Sequence, residues 1–131
     1  MILRPMTMAD ADKMLEWKNY PETRMFSIVS KEEIKKEDHY KYLEANLQYF
    51  QIIESHMDIV GAVRVHDNEI SIWIDRTHWG KGIASTVIKM VSNSGSTAKI
   101  AQGNFASMSA FARNGFIPIS YYDGVFTFKK Y

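Results

Sequence analysis

"IDRTHWGKGIAST", residues 74–86, is where the chain changes character. A strand-like run precedes it and a helix-like run follows, and inside it Gly80 and Gly82 flank Lys81. Ile83, Val87, Met90 and Val91 then recur at i, i+4, i+7 and i+8, the spacing of an amphipathic helix over 82–91. The first amides of a helix have no intrahelical partner, and the helix dipole adds partial positive charge to them. Glycines remove the Cβ atoms that would hold a ligand away, and Lys81 contributes a full charge. The stretch therefore predicts an anion at the helix start, most simply a phosphate or pyrophosphate.

Upstream, "YFQIIES" (49–55), "DIVGAVRVH" (58–66) and "EISIWID" (69–75) are short and rich in β-branched and aromatic residues. Links as short as His56-Met57 and Asp67-Asn68 force them into an antiparallel meander. Before the meander, "ILR" (2–4) predicts a strand, and "TMAD" (7–10) approximates a capping box for a helix over 8–18 that Pro21 ends. "SKEE" (30–33) is a second capping box, ahead of a helix over 31–47 with Tyr40, Leu43 and Leu47 on one stripe. Downstream, "TAKIAQ" (97–102) predicts a strand and "ASMSAFARNG" (106–115) a helix stopped at Asn114-Gly115. "FIPISYY" and "VFTFKK" form a hairpin about Asp123-Gly124, with one of Tyr121 and Tyr122 facing the core. The order is β-α-α-β-β-β-α-β-α-β-β, a mixed α/β fold.

The 131 residues are expected to make one domain, residues 1–131. A net charge of +1 gives no bulk attraction to nucleic acid or to a membrane surface. The absence of cysteine removes disulfides, thiolate metal sites and a cysteine nucleophile. His39, His56, His66 and His78 show no ligand spacing, so no metal is expected. With no apolar run near the ~20 residues of a membrane span and no signal-like leader, a cytoplasmic protein is expected.

Three phosphate motifs compete for residues 79–85. A Walker loop fails because Gly82, not Ser or Thr, follows Lys81, and because no glycine lies five residues before Gly80. Gly80, Gly82 and Ser85 nearly meet G-x-G-x-x-G, but that motif opens a parallel βαβ fold, and here an antiparallel meander precedes it with little chain to follow. The third motif fits. "WGKGIA" (79–84) after an antiparallel strand resembles the [RQ]-x-x-G-x-[GA] pyrophosphate loop of the GNAT superfamily of acyl-CoA N-acyltransferases. "NFASMSAFARNGF" (104–116) resembles the same family's N-x-x-[SA]-x-x-x-[YF]-x-x-x-GF, with Asn104, Ser107, Phe111, Gly115 and Phe116 in register. Trp79 departs from the usual arginine or glutamine, and Phe111 stands where many members carry a tyrosine proposed to protonate the thiolate. With the element order, the resemblance spans residues 2–130.

The resemblance implies a central, mostly antiparallel mixed sheet of about seven strands with four helices. It implies acetyl-CoA as donor and a primary amine of a small molecule as acceptor, by direct attack on the thioester. Pyrophosphate would lie against Trp79, Gly80, Lys81, Gly82, Ile83, Ala84 and Ser85. The pantetheine arm would lie along Ile72, Trp73, Ile74 and Asp75, with Asn104, Ser107 and Phe111 on the opposite wall. An alkyl amine with a pKa near ~10 is mostly charged at neutral pH and needs a base. Glu69 is the first candidate, His78 and Asp75 follow, and Ser107, Tyr121 and Tyr122 are candidate acids. "EWKNYPETRMF" (16–26) and "EDHYKYL" (37–43) resemble the branch acting on amino-sugar nucleotides or protein N-termini. They imply an acceptor pocket of Trp17, Asn19, Arg24, Phe26 and His39. The alternatives are an N-terminal acetyltransferase and a non-catalytic acyl-CoA-binding module. A monomer or homodimer is expected.

Overall fold

The computed structural model describes residues 1–29 and 31–131. Seven strands, β1 (Ile2–Pro5), β2 (Phe50–Ser55), β3 (Asp58–His66), β4 (Glu69–Ile74), β5 (Thr97–Ala101), β6 (Phe116–Tyr122) and β7 (Val125–Lys130), form one sheet. Their order is β1-β2-β3-β4-β5-β7-β6. All neighbours are antiparallel except β4 and β5. The helices are α1 (Ala11–Lys18), α2 (Pro21–Met25), α3 (Lys36–Asn46), α4 (Ile83–Val91) and α5 (Phe105–Ala112).

The hairpins follow from their turns. His56-Met57, Asp67-Asn68 and Asp123-Gly124 all have positive φ at both positions. Such two-residue turns match the right-handed twist of the strands they join. The two-residue period of the strands then divides the core. Ile53, Val63 and Ile70 face α4 and α5, where Val87, Ile88 and Phe111 are buried with them. Phe50, Ile52 and Ala62 face the other way, onto Met14 and Trp17 of α1 and Leu43 of α3. Each fully buried aliphatic or aromatic side chain of this kind contributes about 1.5–3 kcal/mol.

Three expectations change. There are five helices rather than four: Pro21 ends the first, as expected, but also opens a five-residue turn of its own at N1. The helix expected over 31–47 starts at Lys36 and runs into a 3-10 turn over Leu47–Tyr49; the capping box expected at Ser30 lies outside the described residues. Neither Tyr121 nor Tyr122 is core: they are 52% and 84% exposed. β6 is the edge of the sheet, and only Phe116 of that strand is buried. Among the described residues no helix is long and apolar enough to cross a membrane, and no cluster of three metal-ligating side chains occurs.

Candidate active site

The site begins where two parallel strands part. β4 and β5 pair only at Glu69 and Thr97, and a cavity of about 1220 Å³ opens beyond that point. Hydrogen-bond parity shows what β4 offers it. The Asp75 N–H donates to the Val60 carbonyl at 2.8 Å. Pairs two residues apart exchange bonds in an antiparallel ladder, so Trp73, Ser71 and Glu69 also bond to β3. Ile70, Ile72 and Ile74 therefore direct their N–H and C=O groups to the other edge. The Ile74 carbonyl accepts from the Trp79 indole Nε1 at 2.9 Å. Both backbone groups of Ile72 and the N–H of Ile74 are left on the open edge, unpaired by the sheet.

The strand leads directly into the start of α4. Gly82 caps the helix in the left-handed region at φ 75°, and Gly80 has φ 77°. A side chain at either position would meet no protein atom; it would project into open space. Thr86 makes the first intrahelical bond, to the Gly82 carbonyl, leaving the preceding amides without partners in the helix. Lys81, Lys99 and Arg113 also line the cavity. Asn114 holds the helix start in place: its Nδ2 donates to the Ser85 carbonyl at 3.0 Å and to the Ala110 carbonyl of α5 at 2.9 Å. Trp79 closes the loop, edge-on to Tyr20 at 6.0 Å. Arg76 lies over the Tyr20 ring at 4.2 Å and pairs with Glu22 at 2.8 Å.

Beneath the loop, Asp75 is buried. Its carboxylate accepts from the Trp17 indole at 3.0 Å, and from the Thr77 hydroxyl at 2.7 Å and backbone N–H at 3.1 Å. Lys13 is 3.7 Å away. Burial pushes the Asp75 carboxyl up, but the Trp17 and Thr77 hydrogen bonds and the Lys13 charge outweigh it and lower it to about 2.

The other half of the cavity lies on the α1–α3 face. Cross-strand register puts Arg64 opposite Ser71 and His66 opposite Glu69, all on the face of Trp73. The Lys18 Nζ sits among three rings, 4.6 Å from Tyr42 and 5.6 Å from each of Phe50 and Trp73. Burial, and then the Arg64 charge, lower the Lys18 ammonium to about 8. His39 is 1% exposed; its Nε2 bonds the Ala11 carbonyl at 2.8 Å and its Nδ1 has no partner. Burial lowers the pKa of His39, so the neutral ring is favoured.

Most of the residues expected from sequence line this one cavity. Glu69, Ile72, Trp73, Ile74, His78, residues 79–85, Asn104, Ser107 and Phe111 all do, with Arg24, Phe26 and His39. Asn104 also caps α5, accepting from the Ser107 N–H at 3.4 Å, and Phe111 is buried edge-on to Phe116 at 5.0 Å. His78 Nδ1 accepts from Lys81 Nζ at 3.4 Å. Five residues lie off the wall: Tyr121 and Tyr122, the candidate acids, stand exposed on the edge strand β6, and the other three are held elsewhere. Trp17 is fully buried under Asp75. Asn19 clamps the chain before α3, bonding both the N–H and the carbonyl of Ile34. Asp75 has its amide committed to Val60 and its carboxylate to Trp17 and Thr77, so it is available neither to an added strand nor as a base. Lys18, Tyr42, Arg64 and Ser71 line the cavity without having been expected. Their only sequence signal is strand alternation for Arg64 and Ser71, which a lone charged residue does not make conspicuous.

A family model described as "Acetyltransferase (GNAT) domain" matches residues 1–117. No curated protein matches the chain in sequence. Several solved structures share the fold. A domain from Methanocaldococcus jannaschii is 24% identical with a TM-score of 0.79, over 97% of this chain and 95% of that one. A ribosomal-protein-alanine N-acetyltransferase from Brucella melitensis is 17% identical with a TM-score of 0.75, over 99% of each chain. A spermidine N-acetyltransferase from Vibrio cholerae, in complex with CoA and spermine, is 14% identical with a TM-score of 0.80, over 97% and 92%.

Proposed function

The chain belongs to the acetyltransferase (GNAT) domain family, and from that premise we propose that it transfers an acetyl group from acetyl-CoA to a primary amine of a small molecule. Within that class the segments 16–26 and 37–43 favour an amino-sugar nucleotide. One observation carries the reading: the unpaired edge of β4 runs straight into a helix start whose first amides have no partner in the helix and whose two glycines border open space. That arrangement suits a long ligand with amide groups at one end and a diphosphate at the other.

Acetyl-CoA supplies an acyl group already activated as a thioester. The amides at the start of α4, with Lys81, hold the diphosphate. The backbone of Ile72 and Ile74 holds the arm, and a free N–H on this edge polarises the acyl oxygen. Trp79 keeps the loop against the end of β4 by donating its indole N–H to the Ile74 carbonyl. Glu69 is half-buried on the cavity wall. It takes the proton that the acceptor ammonium must lose, directly or through water. Phe111 has no proton to give; Ser107 and Ser109 are the α5 hydroxyls on the wall, and a thiolate leaves readily enough for transfer without a dedicated acid.

The test is thiol release from acetyl-CoA against a panel of amino sugars, their nucleotide derivatives, polyamines and N-terminal peptides, alongside a direct titration of acetyl-CoA. Binding with release from one amine class is expected. Binding with no release from any class would replace transfer by a non-catalytic acyl-CoA-binding role. No binding would remove the reading altogether.

A further inference from the structure

The acceptor half of the cavity holds two cations that the protein leaves without a counterion. Lys18 and Arg64 both line it, and each lies close enough to the other for repulsion to be felt. Among the described residues neither takes part in an ion pair. Glu22 is bound to Arg76, and among the described residues no ion pair joins Lys18 or Arg64 to Glu32, Asp38 or Glu69, the other carboxylates of the wall. The Arg64 guanidinium contacts a ring rather than a carboxylate: Nη2 donates to His66 Nδ1 at 3.1 Å, and the His66 ring lies against Tyr49 at 3.8 Å, with its Nε2 3.6 Å from the exposed Asp67 carboxylate. The Arg64 Nε is buried with no acceptor. Lys18 has only the π faces of Tyr42, Phe50 and Trp73.

Both side chains are half-buried; cations withdrawn from water are ordinarily paired, and a buried donor such as the Arg64 Nε without an acceptor forfeits its hydration for nothing. Aromatic faces compensate an ammonium only in part. Two such groups facing one space are explained if a ligand brings the missing negative charge. We propose that Lys18 and Arg64 form an anion subsite in the acceptor half of the cavity, so that the amine this chain acetylates also carries a carboxylate or a phosphate. This deepens the acetyl-transfer reading and rests on its assignment of the α1–α3 side to the acceptor. The anion is held on Lys18 and Arg64, and the amine is free to face Glu69, on the same face of the sheet as Arg64. A polyamine would add positive charge beside Lys18, Arg24 and Arg64, and it would have to take its countercharge from Glu32, Asp38 and Glu69, which line the same cavity.

A binding experiment and a turnover experiment test this separately. Protein saturated with coenzyme A, which occupies the helix-start site, is titrated with inorganic phosphate and, in parallel, with acetate. Saturable binding of one of them is expected, weakened at least about tenfold in Lys18→Met and in Arg64→Met and recovered in Lys18→Arg. A wild type that binds neither, or Met variants that bind as well as wild type, overturns the subsite. If coenzyme A itself does not bind, acetyl transfer falls, and the same titration of protein alone, wild type against Lys18→Met, still decides the subsite.

For turnover, kcat/KM is compared for 2-aminoethyl phosphate, β-alanine, ethanolamine and spermidine. An anionic amine should lead ethanolamine by about tenfold or more, with that lead lost in Lys18→Met. Whether phosphate or carboxylate leads identifies the anion. Spermidine in first place overturns the subsite and leaves acetyl transfer standing. If none of the four turns over, the binding experiment alone decides.

Discussion

The two halves of the cavity are built from different material. The half at the start of α4 is mostly backbone: amides of one contiguous segment, two glycines in the left-handed region, and the unpaired edge of β4. The half facing α1 and α3 is mostly side chains: Lys18 from α1, Arg24 from α2, His39 and Tyr42 from α3, Arg64 from β3 and Glu69 from β4. Backbone recognition is local in sequence and indifferent to what hangs from it, which suits a part of a ligand that never varies. Side-chain recognition draws on distant positions and can be changed one residue at a time.

Gly82→Val tests the backbone half most severely. The added Cβ would enter open space beside the helix start, and if that space holds the diphosphate, acetyl-CoA affinity should fall by at least about a hundredfold, read by direct titration. The strain of a β-branched residue at positive φ costs of order 1–3 kcal/mol, within a stability of about 5–15 kcal/mol, so circular dichroism should show the fold intact. Unchanged affinity would mean that the diphosphate lies elsewhere.

Next in size is Glu69→Gln, a test of the side-chain half. Loss of a base is worth about 10²–10⁴-fold, and turnover should fall most at low pH, where the amine is held charged. A variant with the wild-type pH profile would remove Glu69 from the chemistry.

Asp75→Ala tests what joins the halves. The carboxylate ties Trp17 of α1 to the turn after β4, and losing it leaves a buried indole N–H unpaired, at a cost of about 2–3 kcal/mol in urea unfolding. In the wild type the sign is that of a depressed acid: this stability is present above the ordinary carboxylate value near ~4 and is lost as pH falls through about 2. A flat wild-type stability profile across that window would contradict the assignment.

Lys18→Met is the smallest effect and has the opposite sign. The native ammonium titrates at about 8, below its ordinary value of about 10.4, so below pH 8 the folded state carries a charge it holds poorly. Replacing it should stabilise the ligand-free protein by about 1–2 kcal/mol at pH 7, after discounting for solvent screening. The gain should shrink as pH rises through 8 and vanish above about 10.4. Destabilisation at pH 7 would mean that Lys18 is a structural residue.

The same contrast explains what could be read without coordinates. Gly80, Lys81 and Gly82 sit within three residues of one another, between a strand and a helix whose periods are each unmistakable, and all three line the cavity. The meander was legible because its turns are two residues long. α2 was not, because five residues are too few to show a helical period. Trp17 was expected in the acceptor pocket because aromatic residues serve cores and pockets alike, and only the bond to Asp75 separates the two uses. Lys18 looks like a solvated residue at the end of a helix and Arg64 like one polar tooth of a strand. Their meeting depends on packing between elements 46 positions apart in the chain (64 − 18).

The single pair at Glu69 and Thr97 also divides the sheet into two blades, β1–β4 and β5–β7, riveted at one residue. Mutational drift on the α1–α3 face of the first blade can therefore redraw the choice of acceptor while its other face, which shares a core with α4, α5 and the second blade, keeps its packing. A scaffold jointed in this way can take on new partners piecemeal, one face exploring while the other stands still.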